Sequence, residues 1–267
     1  PGKRLLSVDY SQVELRIVAH IAGDEAMLAA FRAGQDIHAT TAAAINGIPL
    51  SAVSKEQRRH AKAINFGLIY GMSPFGLTRT TGLTLAEAED FVEAYFRQFP
   101  AIERYLSETR RKAAEVGYVE TLLGRRRYFP GLQSQGNRNT RNREEREAIN
   151  APIQGTAADI MKIAMLRVHE ALLTSGLAAR MLLQVHDELV LESPADEVDQ
   201  LAELAREAMG GVAELAVPLE VDVTEPGDGW KVHALARLVV LAAITAYAVA
   251  TKAWFLTAAP VGFLFGF

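Results

Sequence analysis

The chain has 267 residues, of which 49% are hydrophobic and 22% are charged, and its formal net charge is −4. This length and apolar content are sufficient for one large domain or two small ones with a core, which excludes disorder as the default state. There are no cysteines, so disulfides, thiolate zinc sites and cysteine nucleophiles are excluded. A reducing compartment is allowed, and we expect a cytoplasmic monomer.

The charge is unevenly distributed along the chain. Between Arg104 and Arg146 there are eleven Arg or Lys and five Glu, whereas between Asp187 and Asp228 there are thirteen acids and one Arg. Charge runs most often mark a solvated face. A basic run that contains tyrosines and the triplet 125–127 of arginines is also what a surface that follows nucleic-acid phosphates requires. Both interpretations stay open on the sequence alone.

Apolar runs and helical periodicity predict the elements of the first half of the chain. Residues 4–8 are typical of a buried strand that ends at Asp9 and leads into a helix closed by Gly23. A helix from Ser54 to Tyr70 opens with a serine cap. Further helices are predicted over 84–99 and 101–116, and a loop-like arm over 117–139.

The second half of the chain predicts a long helix and then a hairpin. The helix covers 143–174, with a bend expected near Pro152 and Gly155. Residues 181–192 are typical of two apolar strands around His186-Asp187. A helix over 195–209 and a strand over 218–223 complete the pattern.

Two acids, Asp9 and Asp187, stand where apolar strands end. A lone Asp before a helix usually caps it, and charged residues between two strands usually serve the turn. However, Asp-Gly or Asn-Gly would make a better turn than His186-Asp187-Glu188, and adjacent acids repel unless a cation offsets them. If the two strands pair, Asp9 meets Asp187, and such hard oxygen ligands favour magnesium or manganese.

A mixed cationic and aromatic stripe follows the helix that starts at Ser54. Arg58, Lys62, Phe66 and Tyr70 recur at i, i+4 steps and so share one slowly drifting face. Cations that pair with phosphates, followed by rings that stack on sugar or base, suit a nucleoside triphosphate laid along the helix. A core helix with a basic end and an aromatic end is the alternative, and periodicity does not separate the two.

Taken in order, these stretches resemble the family A DNA polymerases, the DNA polymerase I type. Residues 9–16 (Asp-Tyr-Ser-Gln-Val-Glu-Leu-Arg) are similar to the family's motif A, residues 58–71 to motif B, and residues 185–188 (Val-His-Asp-Glu) to motif C. Further signatures stand at 150–159 and 124–127. The resemblance runs from about residue 5 to residue 233.

The resemblance implies an enzyme, a DNA-directed DNA polymerase active in DNA replication or repair. It would transfer a deoxynucleotidyl group from a dNTP to a primer 3′-hydroxyl on primer-template DNA. Asp9 and Asp187 would hold two Mg²⁺ ions, or Mn²⁺, together with the backbone carbonyl of Tyr10. Glu188 is a further candidate ligand that acts indirectly, and Lys62 a candidate proton donor to the leaving pyrophosphate.

The resemblance also implies which residues touch the substrates. Glu14 would be the steric gate against a ribose 2′-hydroxyl, Phe66 would stack on the incoming nucleotide, and Tyr70 would move as the fingers close. The other dNTP contacts are expected from Arg58, Lys62, His38 and Gln12. Contacts to the primer-template minor groove, which sense pair shape rather than sequence, are expected from Arg146, Gln154 and His186.

The implied fold class is α+β, with mostly helical fingers, a partial antiparallel palm sheet and the thumb absent, because only eight residues precede Asp9. The expected divisions are 1–22 (palm start with motif A), 23–140 (fingers), 141–233 (palm with motif C) and 234–267 (a hydrophobic tail that no family role needs). On this division, a truncated, catalytically weak or inactive nucleotide- or DNA-binding remnant is the alternative function.

The expected tail is apolar but interrupted. Its uncharged runs 238–251 and 253–267 are 14 and 15 residues long, shorter than the ~20 needed to span a bilayer. We expect a run-on or out-of-frame extension. Attachment to a membrane through this tail, and packing of the tail on the palm, are the alternatives left open.

Overall fold

The computed structural model describes residues 2–134 and 137–225. The expected tail over 234–267 lies outside these residues, so neither its membrane attachment nor its packing is tested. Within the described ranges, no helix combines the length and the apolar character needed to cross a membrane.

Helices and strands alternate irregularly along the chain. In order they are β1 (Lys3–Tyr10), α1 (Val13–Ala22), α2 (Glu25–Arg32), α3 (Ile37–Asn46), α4 (Lys55–Ile69), α5 (Pro74–Thr81), α6 (Leu85–Gln98), α7 (Pro100–Val116), β2 (Tyr118–Glu120), β3 (Arg126–Tyr128), α8 (Pro130–Gln133), α9 (Arg138–Ser175), β4 (Arg180–Val185), β5 (Glu188–Pro194), α10 (Val198–Gly210) and β6 (Val221–Thr224). Short 3₁₀ turns cover Leu50–Ala52 and Ala195–Glu197.

The chain divides into two compact units. Of the described residues, the first unit contains 2–11, 164–210 and 220–225, and the second contains 12–134, 137–163 and 211–219. Each unit is built around its own kind of element: the first around a sheet, the second around helices.

The first unit is an antiparallel sheet with strand order β4-β5-β1-β6. Along β1, Leu6, Val8 and Tyr10 are buried on one face, where α10 packs against β1 and β6. The α+β class with an antiparallel sheet is therefore confirmed. The strands predicted at 4–8 and 181–192 are present, whereas the strand predicted at 218–223 begins later, at Val221.

The helices α4 and α6 of the second unit begin where the sequence predicts. Ser54 and Thr84 each form a capping box, in which the side chain three residues later reaches back to the cap nitrogen. Gly23 closes α1 in the left-handed conformation with φ 63°, which glycine adopts at no steric cost. Because these caps satisfy end groups that a helix leaves unpaired, they explain why the boundaries are readable from sequence.

The arm predicted as a loop over 117–139 contains regular structure. β2 and β3 form a hairpin in which Tyr118 is opposite Tyr128, with the ring centroids 5.6 Å apart. The Arg126 guanidinium lies 4.6 Å from the centre of the Tyr118 ring. The prediction missed this hairpin because its strands have three residues each and show no apolar alternation.

Helix α9 starts at Arg138, earlier than predicted, and continues through Pro152. The buried Thr156 hydroxyl donates to the Pro152 carbonyl at 2.6 Å and accepts from the Leu122 N–H of the hairpin turn at 3.0 Å. Gly155 permits this close approach, since a Cβ there would lie 2.5 Å from a methyl carbon of Thr121. The hairpin is thus held against the helix near its proline.

Candidate functional site

An acidic row crosses the sheet of the first unit. Asp9 in β1 is paired with Glu188 in β5 on one side and with Asp222 in β6 on the other. Directly opposed residues of antiparallel strands have Cβ atoms about 5 Å apart on the same face. Asp187, in the β4–β5 turn, accepts the Tyr10 N–H through its backbone carbonyl at 3.4 Å. The structure therefore brings Asp9 and Asp187 together, as strand pairing predicted.

Asp9 occupies an unfavourable position for a lone anion. Burial first, and then the charges of Asp187 and Glu188, raise the pKa of its carboxyl to about 7. Its Oδ1 atom is buried and has no hydrogen-bond partner among the described residues. A buried oxygen without a donor, next to further carboxylates, fits a hard divalent cation.

Glu188 is already engaged. The Ser7 hydroxyl donates to its carboxylate at 2.6 Å, and Ser7 is itself buried. Within 2–134 and 137–225, no group of three or more His, Asp or Glu side chains is arranged to hold a metal ion by itself. The residues present therefore fit an ion that keeps water or substrate oxygens among its ligands, as Mg²⁺ does. The ligand roles of Asp9, Asp187, Glu188 and Tyr10 stay predictions.

The turn that carries Asp187 has an unusual backbone. His186 has φ 57°, in the left-handed region that non-glycine residues seldom adopt, and its carbonyl accepts from the Gln184 side chain. The turn thus lacks the glycine that would relieve this conformation, and the structure shows the corresponding strain. Such strain is often kept where a side chain has a function.

The cation and aromatic stripe of the second unit runs along α4. The rings of Phe66 and Tyr70 are 6.4 Å apart between centroids, and the His38 ring of α3 lies 5.7 Å from that of Phe66. Lys62 is exposed. Arg58 binds the Asp36 carboxylate, which also caps α3. The four residues predicted to share a face thus line one edge of the α3–α4 pair.

Glu14 and Tyr70, both predicted to act on the incoming nucleotide, are brought together. The Tyr70 hydroxyl donates to the Glu14 carboxylate, which joins the C-terminal end of α4 to the first turn of α1. Gln12, just before α1, has φ 54° and a buried Oε1 without a hydrogen-bond partner among the described residues. The steric-gate role of Glu14, the movement of Tyr70 and the nucleotide contact of Gln12 stay predictions.

His38 is 2% exposed. Its Nδ1 lies 2.9 Å from the Nδ2 of Asn65, which is wholly buried in α4. Burial lowers the pKa of the His38 ring to about 4, so the ring is neutral at pH 7. A neutral, mostly buried ring can offer a phosphate at most one directed hydrogen bond, and that contact stays a prediction.

The exposed side chains Arg146 and Gln154 lie two helical turns apart on α9, which suits a row of contacts along a groove but does not test it. The arginine triplet is better explained. Arg125 pairs with Asp159 at 2.8 Å, and the next two arginines pair with Glu120 and Glu147. Arg125 and Arg127 thus attach the hairpin to carboxylates of α9, and Arg126 pairs with a carboxylate of the hairpin itself. The phosphate-binding interpretation of the basic run stays a prediction.

Sequence reasoning missed several residues of these sites. Asp222 was inside a predicted strand, and the alternation of Val221-Asp222-Val223 could have marked it as facing away from the core. Asn65 lies one residue before Phe66, inside the predicted helix. No local signal identifies it, because its partners His38 and Thr41 are on α3.

Comparison with known proteins gives one consistent result. The model of DNA polymerase family A matches residues 1–232. DNA polymerase I of Pseudomonas aeruginosa is 54% identical over 229 residues, covering 86% of this chain and 25% of that protein. The DNA polymerase I of Chloroflexus aurantiacus is 51% identical over 231 residues, with 86% and 24% covered. Thermostable DNA polymerase I of Thermus aquaticus is 48% identical over 229 residues, with 86% and 27% covered.

A solved structure is similar over most of the chain. The POL domain of Pol1 from M. smegmatis, in complex with DNA primer-template and dNTP, has a TM-score of 0.79 and 45% sequence identity, covering 82% of this chain and 39% of that one. The chain spans about a quarter of the length of the curated relatives it matches. The family resemblance inferred from the motifs is confirmed.

Proposed function

This chain belongs to DNA polymerase family A, and from that membership we propose that it carries out the nucleotidyl-transfer step of template-directed DNA synthesis. The substrates would be a deoxynucleoside triphosphate and the 3′-hydroxyl of a primer paired to a template. The single observation that carries the proposal is the position of Asp9: a buried carboxylate oxygen without a donor among the described residues, in a row with Glu188 and Asp222 and near Asp187.

We infer that Asp9 and Asp187 bind two Mg²⁺ ions, which Mn²⁺ can replace. When bound, such ions lower the pKa of the primer hydroxyl and neutralise the triphosphate and the leaving pyrophosphate. Asp9 contributes through its buried Oδ1 atom. Glu188, held by Ser7, acts at a distance by adding negative charge to the site. Tyr10 fixes the end of β1, because its hydroxyl donates to the Met209 carbonyl of α10 at 2.8 Å.

Side chains on one face of α4 contact the incoming nucleotide. Lys62 is exposed and pairs with the triphosphate, to which it delivers a proton as pyrophosphate leaves. Arg58 binds the same phosphates after it releases Asp36. Phe66 stacks on the base or sugar, and the hydrogen-bonded pair of Tyr70 and Glu14 selects against a 2′-hydroxyl. This division of roles leaves little covalent chemistry to the protein, as is usual in phosphoryl transfer.

Primer extension by the full chain with dNTPs and Mg²⁺ tests the proposal. We expect extension in the wild type and its loss in Asp9→Asn and Asp187→Asn, because either change removes a charged oxygen ligand. Asp196→Asn, an exposed acid of the same unit, is the matched control and should extend normally. Extension that survives both substitutions would contradict the proposal.

Metal binding gives a second readout that does not depend on activity. Mn²⁺ titration followed by electron paramagnetic resonance should show binding to the wild type and to Asp196→Asn, and weakened binding to Asp9→Asn. Triphosphate binding without any extension in the wild type would instead favour the alternative of a catalytically inactive nucleotide- or DNA-binding protein.

A further inference from the structure

Two arginines of the second unit lie beside the C-terminal end of α4. Gly71, which follows that helix, has a left-handed φ of 72°, and a Cβ placed on it would lie 3.5 Å from Arg110 Nη2 and 3.7 Å from Arg146 Cγ. Arg110 belongs to α7 and is partly buried, whereas Arg146 belongs to α9 and is exposed. Arginine side chains from two helices therefore flank the end of a third.

Neither arginine side chain has a hydrogen bond or an ion pair with another of the described residues. By contrast, most arginines of this unit bind a carboxylate, as Arg111 binds Glu115 at 2.8 Å. The local spacing explains the difference, because neither Arg110 nor Arg146 has an acid three or four residues away on its own helix. Neighbouring cations without an acid between them repel each other, and a bound anion would relieve that repulsion.

The end of α4 does not need these arginines as caps. The Gly71 N–H donates to the Leu68 carbonyl at 2.9 Å, and the Met72 N–H donates to the Gly67 carbonyl at 2.8 Å. These carbonyls are thus paired with backbone donors, as a glycine in the left-handed conformation permits. The helix dipole favours positive charge at this end, but it does not specify two guanidinium groups.

We propose that Arg110 binds a backbone phosphate of the primer-template DNA, beside the DNA contact predicted for Arg146. A guanidinium offers phosphate two parallel donors and keeps its charge. That the anion is DNA rests on the proposed function, whereas the meeting of the two arginines rests only on the geometry of α4, α7 and α9. Arg110 is thus a DNA-binding residue that lies outside all of the sequence motifs.

The position along α4 separates this phosphate from the triphosphate of the incoming nucleotide. The proposed triphosphate ligands Arg58 and Lys62 lie in the first half of the helix. At a rise of about 1.5 Å per residue, Lys62 and Gly71 are about 13 Å apart along the axis. A triphosphate bound by Arg58 and Lys62 therefore does not extend to Arg110, whereas a DNA strand carries a phosphate at every nucleotide.

Fluorescence anisotropy of a labelled primer-template duplex, measured in EDTA without dNTP, tests the contact. In Arg110→Gln, the loss of one phosphate contact should weaken binding about fivefold and reduce the slope of log affinity against log salt concentration by about 0.9. Arg111→Gln is the matched control, because it removes the same charge from the next position of α7, where the guanidinium already binds Glu115. The control should bind DNA and respond to salt as the wild type does.

Three results of the anisotropy experiment would overturn the proposal. Equal losses in Arg110→Gln and Arg111→Gln would reflect the net charge of the chain rather than a contact. Wild-type affinity in Arg110→Gln would show that no contact is lost. Arg110→Lys keeps the charge and should retain the salt slope, so a slope as low as that of Arg110→Gln would indicate a structural role instead.

Chemical protection of the wild-type chain gives a readout that does not depend on the folding of a variant. Phenylglyoxal modifies accessible guanidinium groups, and peptide mass spectrometry would detect its addition at Arg110. Duplex DNA should protect Arg110, whereas dATP with Mg²⁺ should not. Protection by dATP alone, no protection by DNA, or no reaction in the free chain would each contradict the DNA contact.

Failure of this proposal is separable from failure of the proposed function. A wild type that extends primers while Arg110→Gln binds DNA normally would remove only the Arg110 contact, whereas a wild type that binds no duplex would overturn both. Asp9→Asn, which should lose primer extension, should still bind the duplex in EDTA, because a contact between arginine and phosphate requires no metal ion.

Discussion

Arg58 donates two hydrogen bonds to a single oxygen of Asp36, from Nε to Oδ2 at 2.9 Å and from Nη2 to Oδ2 at 2.6 Å. Burial alone would raise the pKa of Asp36, but hydrogen bonds from Arg58 and from the Ala39 N–H lower it overall. This ion pair joins α3 to α4. It also engages the Arg58 guanidinium, which we propose as a ligand of the triphosphate. A nucleotide must therefore compete with a carboxylate for this guanidinium.

Replacing Asp36 by Asn should release Arg58 for the nucleotide. Asn is as good a helix cap as Asp, so α3 is expected to keep its start while the competing charge is lost. Because a partly exposed ion pair contributes up to about 1 kcal/mol, dATP should bind up to about fivefold more tightly. Titration calorimetry measures this. Glu93→Gln, which breaks the exposed pair with Arg97, is the control. Weaker binding in Asp36→Asn would show that Asp36 orients Arg58 rather than restraining it.

Asp9→Asn should separate the stability of the sheet from its metal chemistry. The amide keeps the shape of the side chain and removes one of several neighbouring negative charges. The free energy of unfolding in EDTA should therefore rise by roughly 1 kcal/mol. Mg²⁺ should stabilise the wild type and have little effect on the variant. Urea titrations with EDTA or Mg²⁺ check both points, with Asp196→Asn as the control. A less stable variant in EDTA would mean that the Asp9 charge does not strain the metal-free sheet.

His38 should contribute to the loss of stability in acid. Its pKa is about 4 in the folded chain against the usual 6.5, so between these values the unfolded state binds more protons and stability falls as the pH falls. The glutamine of His38→Gln does not titrate. Between pH 7 and pH 4.5 the free energy of unfolding of this variant should therefore fall by roughly 1–2 kcal/mol less than that of the wild type.

Urea unfolding at several pH values measures that difference. Asp36, which also titrates below neutral pH, is present in both proteins, so its contribution largely cancels. Parallel curves for the wild type and His38→Gln would contradict a neutral, buried His38.

Thr156 should be necessary for the attachment of the β2–β3 hairpin to α9. Thr156→Val keeps the volume but leaves the partly buried Leu122 N–H without its acceptor, and the loss of a typical intramolecular hydrogen bond lowers the free energy of unfolding by about 0.5–1.5 kcal/mol. Thr156→Ser keeps the hydroxyl, so its free energy of unfolding should fall much less than that of Thr156→Val. Urea unfolding compares the two variants. Equal losses would indicate that the methyl group, rather than the hydrogen bond, holds the hairpin.

The sequence predicted those parts of the sites that lie within one element or at its end. Asp9 and Asp187 could be placed because apolar runs define the strands before them, and the α4 stripe because four-residue spacing defines a helix face. Asn65 could not be recognised, since its role depends on the contact of α3 with α4. The acid partners of the arginine triplet could not be found either, because Asp159 is 34 residues from Arg125 along the chain.

Successive side chains of β1 point to opposite faces of the sheet, so one face serves the core and the other carries the acidic row. Even positions Leu6, Val8 and Tyr10 are buried in the core, and odd positions Ser7 and Asp9 carry the polar row. Inserting or deleting one residue would exchange the two sets, placing the carboxylate in the apolar layer and leucine or valine among the acids. A change of this kind would lose the core and the acidic row in the same step. The position of the acid in β1 is therefore enforced by the hydrophobic effect, so selection for a folded sheet alone would also preserve its register.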